Sequence, residues 1–98
     1  MGIFGNQWKT TIEEQGPSGT IRYREGKNEV SFYWEFSGGD SVVFISGTKE
    51  SDWNTKYAWA AGRCKEIYQR VADEVIAKKA RSCKAVIDLA SGKVDIRK

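Results

Sequence analysis

The stretch Glu29-Val30-Ser31-Phe32-Tyr33-Trp34-Glu35-Phe36 decides how this chain is read. Its even positions are Val, Phe, Trp and Phe; its odd positions are Glu, Ser, Tyr and Glu. Successive side chains of a strand point to opposite faces, so this alternation specifies a strand with one buried face and one wet face. Ser37-Gly38-Gly39-Asp40 follows, and a central Gly-Gly supplies the backbone freedom that a hairpin turn needs. Ser41-Val42-Val43-Phe44-Ile45-Ser46 is then the returning strand. A two-residue loop at Gly38-Gly39 pairs Trp34 with Val43 and Phe32 with Ile45 on the core side, and Tyr33 with Phe44 on the other.

Upstream, Thr20-Ile21-Arg22-Tyr23-Arg24-Glu25 alternates in the same way and turns through Gly26-Lys27-Asn28. A two-residue loop at either Gly26-Lys27 or Lys27-Asn28 places Ile21 and Tyr23 with Phe32 and Val30 in the core, with Arg22 and Arg24 pointing outward. Trp8 to Glu14 reads as the first strand, with Trp8, Thr10 and Ile12 on one face. Gln15-Gly16-Pro17-Ser18-Gly19, which holds the only proline, reads as a turn-rich loop. These four strands form an antiparallel meander.

From Asp52 to about Ala80 the apolar period changes. Trp53, Tyr57, Ala60, Ala61, Cys64, Ile67, Tyr68, Val71 and Val75 fall in one stripe roughly 120° wide on a helical wheel, opposite Arg63, Glu66, Arg70 and Asp73. Ser51 and Asp52 suit the N-terminal end, and Lys78, Lys79 and Arg81 suit the C-terminal end. Such a helix would reach ~40 Å, whereas strands of six or seven residues span only ~20–23 Å. Either Gly62 breaks the helix, or one end overhangs the sheet. Beyond Ser82, Ala85, Ile87 and Leu89 alternate with Lys84, Val86 and Asp88; Ala90-Ser91-Gly92 is a turn, and Val94 and Ile96 point inward from a last strand. The order is ββββαββ: an α+β two-layer sandwich with an antiparallel β-meander, one long amphipathic helix and a C-terminal β-hairpin. Its 98 residues make a single domain, 1-98, because a second core would need roughly a hundred more.

Several function classes fall away. There is no histidine, which removes histidine–carboxylate relays, HExxH zinc sites and imidazole switches. The carboxylate pairs Glu13-Glu14 and Asp73-Glu74 diverge on a strand and a helix respectively, so neither aims two acids at one bond. The glycine-containing stretches read as turns, not as phosphate cradles. No catalytic, cofactor-binding or metal residue is therefore assigned, and a non-catalytic module is expected. No apolar run approaches the roughly 18 residues of a membrane span. Met1-Gly2-Ile3-Phe4-Gly5-Asn6 lacks the pattern of a secretory leader. Cys64 lies inside the helical stretch and Cys83 just past its end, about 20 Å or more apart, so both are expected to be free thiols, which suits a reducing cytoplasm.

Four Trp, four Tyr and four Phe are more aromatic surface than one sheet face and one helix stripe can easily cover. Protein–protein contact is the main expectation, most simply a homodimer. The interface candidates are Trp53, Tyr57, Trp59 and Arg63, with Trp59 singled out on the polar side of the wheel beside Gly62. The alternative is single-stranded nucleic-acid binding on the outer sheet face. There Lys9, Arg22, Arg24, Tyr33 and Phe44, joined by Val42, would stack bases and hold phosphates. The ββββα order resembles, in topology alone, the Whirly and PUR-type single-strand binders. Glu13, Glu29 and Glu35 on the same face count against it, as does pairing of Arg24 with Glu29 across the hairpin. Cover by the C-terminal hairpin or by a second subunit is the other fate of that face. A small ligand-binding domain is the third reading, for which no constellation of residues speaks.

Overall fold

The alternating stretches become strands and the stretch of helical period becomes helix, in the order ββββαββ. The computed structural model describes residues 7–98, so the reading of Met1–Asn6 lies outside the described residues. The strands are β1 (Lys9–Gln15), β2 (Ser18–Glu25), β3 (Asn28–Phe36), β4 (Ser41–Ser46), β5 (Lys84–Asp88) and β6 (Lys93–Arg97). Between β4 and β5 lie α1 (Glu50–Lys56), a 3-10 turn (Ala58–Ala60) and α2 (Cys64–Lys79). All six strands form one antiparallel sheet in the order β1-β2-β3-β4-β6-β5. The C-terminal hairpin extends this sheet through β6, at the free side of β4, and does not fold over its outer face. β1 and β5 are the edges.

Turn chemistry sets the registers. Gln15 pairs with Ser18, so the expected loop over residues 15–19 contracts to Gly16-Pro17. Gly16 sits at φ +76°, the conformation that lets a Gly-x pair reverse a hairpin in two residues. β2 and β3 pair Ile21 with Phe32 and Tyr23 with Val30, which selects the Gly26-Lys27 loop and keeps all four on the predicted inward face. Between β3 and β4 the register differs from the expected one: Trp34 faces Ile45 and Phe36 faces Val43, so residues 37–40 form the connection. Of the two central glycines only the second, Gly39, takes a positive φ, +67°, whereas both favoured two-residue hairpin turns need it at the first. The slip is by an even number of positions, so every side chain keeps its face. Phe32, Trp34, Val43 and Ile45 stay in the core; Tyr33 and Phe44 stay outside, opposite Ser46 and Glu35.

The long helix breaks. Tyr57 leaves helical geometry at φ −122°, ψ 67°, the 3-10 turn follows, and Gly62 at φ +78° redirects the chain into α2. Two hydrogen bonds hold this reversal. The indole N–H of fully buried Trp53 donates to the Ala60 carbonyl at 2.9 Å, and the Gly62 N–H donates to Asn54 Oδ1 at 2.8 Å. A buried indole donor left unpaired would cost about 1–3 kcal/mol, so the reversal and the burial of Trp53 support each other. The 16 residues that remain in α2 span ~24 Å, close to the length of the strands beneath. Ala61 consequently leaves the apolar stripe and is exposed.

The core between α2 and the sheet is built on Tyr23, Phe32, Trp34, Trp53 and Tyr68, with Ile21, Ile45, Ile67, Val71, Val94 and Ile96. The Tyr68 hydroxyl lies 2.9 Å from the Thr48 carbonyl and 3.0 Å from that of Gly92, joining the β4–α1 loop to the β5–β6 turn. Gly47 is confined there, because a Cβ would come within 2.6 Å of the Phe32 ring and 2.7 Å of the Tyr68 hydroxyl. Trp53→Ala should lower the unfolding free energy by about 3–5 kcal/mol, whereas Trp59→Ala, which removes a half-buried ring, should cost roughly 1–2 kcal/mol. Urea titration of the two variants checks the ranking, and equal losses would contradict it.

Candidate functional site

The four residues expected to form an exposed patch do not form one. Trp53 is in the core, Tyr57 is only 9% exposed, and Trp59 is half-buried against the core cluster. The helix end that would have overhung the sheet folds back at Gly62 and covers these rings with its own chain. Arg63 is likewise engaged. It precedes α2 and directs both terminal nitrogens at Glu25, with Nη1 3.1 Å from Oε1 and Nη2 2.6 Å from Oε2.

Glu25 was not singled out from the sequence, although it shares parity with Ile21 and Tyr23 and so points toward the helix layer. It is only 8% exposed. The Tyr23 hydroxyl donates to it, Arg70 Nη1 lies 3.4 Å away, and the same nitrogen donates to the Tyr23 oxygen at 2.8 Å. Glu66 bridges the two arginines at 2.8 and 3.1 Å. Trp8 closes the stack, its ring 5.0 Å from the Arg70 guanidinium and 5.7 Å from the Tyr23 ring. Burial alone would push the Glu25 carboxyl up, but the hydrogen bonds from Arg63 and Tyr23 and the charges of Arg63 and Arg70 outweigh it, leaving the carboxyl below its ordinary range. Burial and then Glu25 push the Tyr23 phenol up to about 12. This cluster clasps β2 to α2. Its two arginines and two glutamates match in charge.

The outer sheet face does gather Lys9, Arg22, Arg24, Tyr33 and Phe44 on one surface, with Tyr33 47% exposed. Its arginines are paired, however. Arg22 meets Glu13 and Glu29, each at 3.1 Å, and Arg24 meets Glu29 at 2.7 Å. Hydrogen bonding by Arg24 is the main reason the Glu29 carboxyl lies below its usual range. Phe44 carries the Lys93 ammonium 5.7 Å from its ring centre, and Val42 sits in a bulge against β6, packed on the core. Parity assigns Lys84, Lys93 and Arg97 to this face as further cations and Glu35, Asp88 and Asp95 as further acids, so it is close to neutral. A polyanion draws its affinity from surplus positive charge.

A different surface gathers partly buried apolar side chains at the margin of the core. Among the described residues, eight partly buried apolar residues pack against the core; Cys83, Ala85, Ile87 and Leu89 lie on β5 or next to its ends, and Ile76 lies on α2. On the other side of the same strand Val86 is 52% exposed. At β1, the opposite edge, Thr10, Ile12 and Glu14 alternate with Lys9, Thr11 and Glu13, a polar and charged pattern. The clefts are shallow and open; one of about 450 Å³ is lined by Ser31, Gly47, Thr48, Lys49, Asp52, Lys56 and Ser91. Cys64 and Cys83 are free, and burial pushes the Cys64 thiol up to about 11, away from thiolate chemistry. No helix among the described residues is long and apolar enough to cross a membrane.

The Glu25 clasp makes a pH prediction. Its carboxyl is held below the ordinary value of 4.5 in the native state, so its contribution is whole above that pH and is lost as pH falls through the lower native value. Glu25→Gln should cost ~2 kcal/mol at neutral pH. The deficit should shrink as pH is taken below 4.5. Thermal midpoints of both proteins across the acid limb check this, and a deficit independent of pH would contradict it.

No protein-family model, curated protein or solved structure matches this chain.

Proposed function

We propose that the chain is a non-catalytic protein-contact module that assembles with a second copy of itself in a reducing cytoplasm. The observation that carries this reading is the open sheet edge at β5, where partly buried apolar side chains line one face and the exposed Val86 stands on the other. An edge strand presents unpaired backbone groups, and an apolar one invites another strand to pair with it. The aromatic surplus contributes less than the composition suggests, because Tyr23, Phe32, Trp34, Trp53, Tyr57 and Tyr68 are buried while Trp8, Tyr33 and Phe36 stay exposed.

Nucleic-acid binding is weaker as a reading, since Arg22 and Arg24 would have to exchange Glu13 and Glu29 for phosphates. Light scattering across a size-exclusion peak, run from low to high micromolar concentration, should reveal a dimer whose fraction rises with loading. A strict monomer throughout would overturn self-association. Titration with an oligothymidylate at low salt should leave tryptophan and tyrosine fluorescence unchanged. Salt-sensitive quenching, lost on joint Arg22→Glu and Arg24→Glu substitution, would favour the outer-face reading instead.

A further inference from the structure

The hydrogen-bond parity of the sheet specifies how β5 could meet its own copy. The Gly47 N–H donates to the Gly92 carbonyl at 2.8 Å, continuing the ladder in which Ile45 faces Val94 and Val43 faces Ile96. In an antiparallel sheet, alternate residues turn their backbone groups to opposite neighbours. Val94 and Ile96 therefore bond toward β4, while Lys93, Asp95 and Arg97 bond toward β5, where they face Asp88, Val86 and Lys84. The backbone groups of Ala85 and Ile87 are thereby directed away from the sheet.

A copy related by a two-fold axis normal to the sheet must pair like faces and use those outward groups. Three registers do so, centred on Ala85, Val86 or Ile87. Centring on Ala85 sets Lys84 against an apolar Val86, and centring on Ile87 sets Asp88 against it. Centring on Val86 sets each Lys84 opposite the second copy's Asp88, pairs Ala85 with Ile87, and brings the exposed Val86 side chains together.

Resting on the self-association reading, we propose that two copies join β5 to β5 in this Val86-centred antiparallel register. One sheet then runs through both molecules. Four backbone hydrogen bonds, two Lys84–Asp88 pairs and a Val86–Val86 contact hold the seam. The half-buried Ala85, Ile87 and Leu89 are covered on the helix side. The ladder ends there, because the Cys83 N–H is already bonded to Ala80 and the Leu89 carbonyl to Glu50. So short a seam suits a reversible dimer.

Val86 on the axis is a non-hydrogen-bonded pair, with Cα atoms ~4.5 Å apart, inside the range a disulfide tolerates. Val86→Cys should give a covalent dimer as its main product under mild oxidation. The unmodified chain, whose Cys83 lies opposite position 89 of the copy, should not, nor should Thr11→Cys at the β1 edge. Lys84→Glu and Asp88→Lys should each weaken the dimer about tenfold or more, and the double exchange should restore it to within about threefold. Thermal midpoints confirm that each variant is folded. If the unmodified chain stays monomeric, the self-association reading fails and this register fails with it. If it dimerises but Val86→Cys does not cross-link, or the charge exchange does not rescue, the register is overturned and self-association stands.

Discussion

The buried indole of Trp53 needs an acceptor, and the chain supplies one in its own Ala60 carbonyl, 2.9 Å away. Meeting that requirement forces the backbone to reverse between Tyr57 and Gly62, where φ +78° suits glycine. Much else follows from the reversal. It shortens α2 to a length that the sheet can support, folds Tyr57 and Ala60 into the core, and starts α2 at the point where Arg63 reaches Glu25. A continuous helix would have carried these aromatic rings past the sheet. The reversal hides them.

The layering has a second consequence. Helices cover one face of the sheet, and the C-terminal hairpin enters it edge-on, with β6 against β4 and β5 outermost. The outer face is therefore neither apolar enough to demand cover nor basic enough to attract a polyanion; its arginines and glutamates satisfy one another across neighbouring strands. The two edges are unlike. β1 alternates polar and charged residues, a pattern that discourages pairing, whereas β5 places charges only at its ends around an apolar middle.

Much of this architecture was legible in the residues themselves. Alternation in β3 named its buried face, and a two-residue turn after β2 set which side chains of β2 share it, because side-chain parity is a local property; the choice of Gly26-Lys27 over Lys27-Asn28 came only with the pairing. Free, distant cysteines were legible for the same kind of reason. The candidate contact surface was not. Trp53, Tyr57 and Trp59 share a wheel with Cys64 and Ile67 only if the helix is continuous, and nothing local distinguishes a tolerated Gly62 from a breaking one. The Glu25 clasp could have been found from parity, since an acid at an inward position demands a cation from the facing layer.

The sequence by itself determined which side chains share a strand face, the order of the elements and the absence of histidine chemistry, since each depends on neighbours along the chain. Tertiary structure alone decided the break at Gly62, the insertion of β6 between β4 and β5, and the pairing of Arg63 with Glu25. Those features depend on competition between partners far apart in sequence. A buried donor, an open strand edge or a buried charge selects its partner only once the layers have met.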